Sequence, residues 1–111
     1  LIEVTHANDF LLTYLKSDSF KQFTLWSQHL ILHTHESLKR ILEHVGFKDV
    51  KTYGVQRYPL SNHLFWLSQG KPGGHKSKFS EIESARLFNL YEKSLQKINA
   101  TDTIVALAKI K

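Results

Sequence analysis

Hydrophobic positions along the chain alternate between helical and extended spacing. Leu1–Val4, LIEV, is a short apolar run of the kind that ends a buried strand. Asn8 or Asp9 can cap a short helix carrying Phe10, Leu11, Leu12, Tyr14 and Leu15. Lys16–Ser19 is polar and breaks the pattern, and Phe20, Phe23, Leu25 and Trp26 then form an aromatic-rich segment. Thr34 can cap a second helix, whose Leu38, Ile41, Leu42 and Val45 share one face. Gly46 ends that helix, and Phe47 can fold back onto its last turn. Val50–Tyr58 follows as a strand interrupted by Gly54, which marks a bulge, and Pro59 stops it by withholding an amide donor.

Ser61 can cap a brief apolar turn holding Leu64, Phe65, Trp66 and Leu67, and Gly70–Lys76 is a glycine-rich loop expected to be solvated and mobile. Ser80 with Glu83 reads as a capping box opening one long helix to Ile98, with Ile82, Ala85, Leu87, Leu90, Tyr91, Leu95 and Ile98 as its apolar stripe. Thr103–Ile110, TIVALAKI, is apolar on both sides, so it is expected to be central in a sheet and covered on each face. Strands separated by helical excursions predict a layered α/β arrangement. Three strands covered on both faces call for more apolar material than 111 residues carry easily, so the chain is expected to be part of a larger domain.

Composition narrows the class. Apolar residues make up 41% and charged residues 23%, which excludes an extended disordered chain. No run reaches the roughly 18 apolar residues needed to cross a bilayer, and no secretory signal opens the chain. Cysteine is absent, which removes thiolate chemistry and fits a reducing, cytoplasmic setting. The net charge of +5 comes from scattered lysines rather than one block, so nucleic acid is not the expected partner.

Candidate chemistry is sparse. His29 and His33 lie four residues apart and would share a helical face, but zinc needs three or four ligands and no cysteine or carboxylate completes a set, so no metal site is expected. One of these histidines can serve as a base or orienting group, or be a hydrogen-bonded structural residue. The aromatic rings of 20–26 are either core or the lining of a substrate pocket. The amides and lysines of Gly70–Lys76 could hold an anion, without matching a phosphate-binding loop.

Four segments carry a family resemblance: LIEV with THANDFLL, HLILHTHESLKRILEHVGFKDV, VQRYPLSNHLFWLSQGKPGGH and TDTIVALAKIK. Together they resemble the C-terminal part of a class I S-adenosylmethionine-dependent methyltransferase, in a small-molecule subgroup. The resemblance covers essentially the whole chain. It implies the last part of a Rossmann-like fold, with about three strands, packing helices and a helical insertion at about 60–98. In that family the seventh strand runs antiparallel between the fifth and sixth, so Leu1–Val4, Val50–Tyr58 and Thr103–Ile110 would be the fifth, sixth and seventh.

The family's glycine-rich turn after the first strand, and its acidic residue after the second, have no counterpart here. The resemblance therefore implies a parent enzyme using S-adenosyl-L-methionine, with these 111 residues alone inactive and contributing no cofactor-binding residues. It implies a substrate pocket for a small-molecule methyl acceptor beyond the carboxyl end of the first strand, at Thr5, His6 and Asn8, with His33, Tyr58 and His63. His29 resembles the family's base or orienting histidine, although Gln28 precedes it where several relatives carry glutamate. Two other classes stay open: an interaction or ligand-binding module using exposed Phe20, Phe23, Trp26 and Trp66, and a basic nucleic-acid binder using Lys71, Lys76 and Lys78. A truncated sheet would also leave an edge through which two copies could pair, with no membrane involved.

Overall fold

The computed structural model describes residues 1–27, 32–74 and 77–110, with the side chains of 25–27 also outside the described set. Thr34 closes the N-terminus of α3 (His35–His44) as expected. Its Oγ1 accepts from Ser37 N at 3.1 Å while Ser37 Oγ accepts from Thr34 N at 2.9 Å. Gly46, at φ +110°, then turns the chain into β2 (Phe47–Val55). Of the four apolar residues expected on this helix, Leu38 and Leu42 are buried, whereas Ile41 and Val45, the latter just past the helix end, are 50% and 63% exposed. A single row of leucines four apart suffices to cover the sheet beneath.

That sheet is three-stranded, open and antiparallel, in the order β1-β3-β2. β1 (Ile2–Thr5) and β3 (Thr103–Ile110) pair from Ile2 opposite Ala106 to Thr5 opposite Thr103, and β2 lies along the other side of β3. β3 is therefore central and antiparallel to both neighbours, which makes β1 and β2 parallel to each other. The central place of β3 is the one its residue pattern predicts, and the order is the one the family resemblance implies. Leu38, Leu42, Val50, Ile104 and Ala106 form the core on one face, with Ile2, Val4, Phe47 and Ala108 at its margin.

The expected cover on the second face is incomplete among the described residues. Tyr53 and Leu107 point from that face and remain 48% and 43% exposed. The radius of gyration is 15.0 Å, against about 13 Å for a compact domain of this length. The bulge is also displaced from its expected place. The register shifts between Lys48 and Lys51, where Asp49 adopts φ +52°, whereas Gly54 stays in the ladder opposite Ile104. Gly54 is needed for room: a Cβ there would stand 2.6 Å from Thr101 Oγ1. β2 ends at Val55, so Gln56–Tyr58 are not strand.

Two helical expectations are corrected. The segment around Leu64–Leu67 is a full helix, α4 (Leu60–Gln69), and Pro59 rather than Ser61 occupies its cap position. The long helix from Ser80 is two elements, a 3₁₀ turn (Lys78–Ile82) and α5 (Ala85–Lys97). Glu83 leaves helical geometry because its carboxylate accepts from Ser61 Oγ on α4 instead of capping Ser80. Ser84 starts α5 anew by accepting from Leu87 N at 3.0 Å.

The remaining helices are α1 (Phe10–Thr13), capped by Asp9, and α2 (Asp18–Ser27). Both lie within an excursion that returns to β1 at His33. There His33 N donates to Thr5 O and Ala7 N to His33 O, a parallel bridge on the outer edge of β1. No helix among the described residues is long and apolar enough to cross a membrane.

Candidate ligand-binding cleft

At the carboxyl end of β1 the chain opens a cleft of about 850 Å³. Thr5 and Thr103 come from the paired strand ends, Arg57 and Tyr58 from the segment after β2, and Asn62, His63 and Trp66 from one side of α4. Phe20, Phe23 and Thr24 of α2 form the opposite wall, with Asp9, His33 and Asp102 between. The wall is aromatic because Phe20 and Phe23 both meet Trp66, with ring centroids 5.1 and 5.2 Å away. The glycine loop closes one side. Gly73 lines the cleft and Gly74 is buried so close to α4 that a Cβ would stand 2.4 Å from Asn62 Cα. That contact corrects the expectation of a freely solvated loop for this part of Gly70–Lys76.

The polar floor is built by a network crossing three elements. Asp102 accepts from Arg57 N at 2.9 Å and from Thr103 Oγ1 at 2.9 Å through Oδ1, and from Tyr58 N at 3.0 Å through Oδ2. It thereby fastens the segment after β2 to the start of β3. Burial pushes its carboxyl above the usual range, against the pull of those donors and of the Arg57 charge. Gln56 is held in one orientation, because Oε1 accepts from Asp102 N at 3.0 Å and Nε2 donates to Tyr58 O at 2.8 Å.

That orientation fixes the tautomer of His63. Gln56 Nε2 has only hydrogens to offer, so His63 Nε2 accepts from it at 3.4 Å and Nδ1 carries the proton toward Tyr91 OH. Burial holds the His63 imidazole down to about 4, so it is neutral at physiological pH. Burial and the neighbouring Asp9 and Asp102 charges raise the Tyr91 phenol above its ordinary value. His63 lines the cleft with both ring nitrogens engaged, a positioning arrangement rather than that of a free base.

Asp9 is 1% exposed. Its Oδ1 accepts from Leu11 N at 2.8 Å as the cap of α1. Burial pushes its carboxyl up to about 7, with the Leu11 and Leu12 amides opposing the shift and Asp102 adding to it.

Of the residues expected at a substrate pocket, Thr5, His33, Tyr58 and His63 come together here. His6 and Asn8 do not line the cleft. His6 is fully buried, donating from Nδ1 to Thr101 O at 2.8 Å and meeting the His35 ring edge-on at 5.2 Å. Asn8 turns to the far side, where Nδ2 donates to Asn99 O. His29, the expected base, and the Trp26 ring lie outside the described residues. From the sequence, Asp9 has only a capping role and Asp102 carries no signal, while aromatic lining by Phe20 and Phe23 is one of two alternatives for the 20–26 segment. Contact of α1 with the segment before β3, through Phe10 N to Ala100 O, and of that segment with the stretch after β2 brings the two aspartates into one cleft, and no local spacing signals it.

No group of three potential metal ligands occurs among the described residues. A smaller depression of about 500 Å³ runs along Tyr58, Leu60, Glu83 and Phe88, without a comparable convergence of buried polar groups. Compared with protein-family models, with curated proteins and with solved structures, the chain finds no match.

Proposed function

We propose that this chain is the acceptor-binding side of a small-molecule methyltransferase of Rossmann-like fold and that it is inactive alone. The observation that carries the reading is the place of the cleft. It opens beyond the carboxyl end of β1, in a sheet whose central strand runs antiparallel between two mutually parallel ones. Ligands of α/β sheets bind at that end of the strands. The uncovered face bearing Tyr53 and Leu107 fits a sheet meant to continue and to be packed by further helices.

The chain does not fit S-adenosyl-L-methionine by itself, because no glycine-rich turn follows a strand and no acidic residue ends a second one. What these residues contribute is binding and orientation of the acceptor. Asn62 offers polar contact, Phe20, Phe23 and Trp66 exclude water, and the Asp102 and Gln56 network fixes the floor.

The coding sequence upstream of Leu1 tests the proposal. An in-frame strand followed by a glycine-rich turn is expected, and the extended polypeptide should transfer a labelled methyl group from S-adenosylmethionine to small acceptors. An upstream region lacking such a turn, or stoichiometric binding of S-adenosylmethionine to these 111 residues alone, overturns it. A ligand-binding module without methyl transfer is the second reading, favoured by the half-exposed Phe23 ring at the cleft.

A further inference from the structure

We propose that the cleft takes a small organic ammonium ion, with the Asp9 carboxylate as its counter-ion and the rings of Phe20, Phe23 and Trp66 as its walls. The inference rests on the cleft being a ligand site, and it names the chemical class of that ligand.

Asp9 carries the argument. Its side chain is buried at the cleft and held in place by the Leu11 amide, and no lysine or arginine among the described residues forms an ion pair with it. Capping does not require a charge, since asparagine caps as well as aspartate, and burying a carboxylate without a cation is costly. Among the described residues that line the cleft, no lysine or arginine is left unpaired. Arg57 directs its guanidinium to Glu3, His63 is neutral, and Asp102 adds a second negative charge whose oxygens are already engaged by Arg57 N, Tyr58 N and Thr103 Oγ1.

An anion entering the cleft meets three carboxylates, Glu3, Asp9 and Asp102, against one guanidinium, Arg57, that Glu3 already engages. A neutral ligand further desolvates Asp9 without compensating it. An ammonium ion offsets the charge, and the electron-rich faces of clustered aromatic rings attract it as well. Burial, with the Asp102 charge adding, raises the Asp9 carboxyl to about 7, and an ammonium ion against it would bring that value down again.

The test uses three probes of like shape and different charge: benzylammonium, benzyl alcohol and benzoate. Each is titrated into the full chain at pH 8, with the Leu11 amide and Trp66 indole signals followed by NMR. Benzylammonium is expected to saturate both signals at a concentration about tenfold or more below that of benzyl alcohol, with benzoate weakest. Asp9→Asn, which keeps the cap, is expected to erase the preference for the cation.

Equal response to the three probes, or tighter binding of benzoate, overturns the proposal and leaves the cleft as a ligand site. No saturable response at either signal overturns both. Should Asp9→Asn fail to fold, the comparison of probes on the unaltered chain decides alone. The upstream coding sequence is an independent readout, so loss of the methyltransferase reading and loss of the ammonium site are distinguishable.

Discussion

Gly54 lies against Thr101 so closely that the sheet has no room for a side chain at that position: a Cβ on Gly54 would stand 2.6 Å from Thr101 Oγ1 and 3.3 Å from its Cγ2. Gly54→Ala is expected to cost about 1 to 3 kcal/mol in urea unfolding. Thr101→Ala should recover part of that loss when combined with it, a coupling that a double-mutant cycle would reveal. Additive effects would show that the contact is relieved by backbone movement instead.

Arg57 is held in two ways of unequal value. Its backbone amide donates to the buried Asp102, while its guanidinium pairs with Glu3 at a site where both side chains are about half exposed, 47% and 46%. Asp102→Ala strands three donors and is expected to cost about 2 to 4 kcal/mol. Glu3→Ala should cost less than about 1 kcal/mol and lose even that in high salt. Chemical denaturation of both variants at two salt concentrations checks the ranking.

Asp9 and His63 bend the pH dependence of stability in opposite senses. The Asp9 carboxyl sits at about 7 in the folded chain against an ordinary 3.8, so its protonated form favours folding below about 3.8 and that contribution is lost as pH rises to about 7. His63 sits at about 4 against 6.5, so stability falls as pH drops through that interval. Asp102 adds to the first trend, and His6 and His35 add to the second. The stability of Asp9→Asn relative to the unaltered chain is therefore expected to rise between pH 4 and 7, by on the order of 4 kcal/mol. A difference independent of pH would mean that Asp9 titrates normally.

The sheet face bearing Tyr53 and Leu107 leaves apolar groups in water, and among the described residues no strand pairs with the outer edge of β1 before Thr5. At high concentration the isolated chain is expected to self-associate, and Tyr53→Lys with Leu107→Lys should shift it toward monomer at little cost in stability. Sedimentation equilibrium reads the outcome, and a monomeric mass across the range would rule the association out.

The sequence was most informative where local chemistry decides the structure. The Thr34 cap, the Gly46 turn and the bounds of β3 at Thr103 and Ile110 all follow from residue type and spacing. It was misleading where a distant partner prevails over a local one. Ser80 and Glu83 have capping-box spacing, but Ser61 draws the Glu83 carboxylate to α4 and the helix restarts at Ser84. Gly54 inside a strand predicts a bulge, but its small size serves Thr101, 47 residues away in the chain, and the bulge falls at Asp49.

The cleft was half legible in the same sense. Thr5 follows from strand polarity, whereas the approach of Asp9 to Asp102 depends on the contact of α1 with the segment before β3 and leaves no trace in either segment alone.

The bridge between His6 and His33 makes the stretch from Ala7 to His33 a closed circuit, stapled at its neck by two backbone hydrogen bonds. Backbone groups carry the staple, so it does not depend on which side chains ride on the circuit. The Phe20 and Phe23 wall is consequently an exchangeable cassette. Its rings meet Trp66 of α4 rather than the strand pairs or the Asp102 clasp, so exchanging them is expected to change the ligand while the strand register is kept.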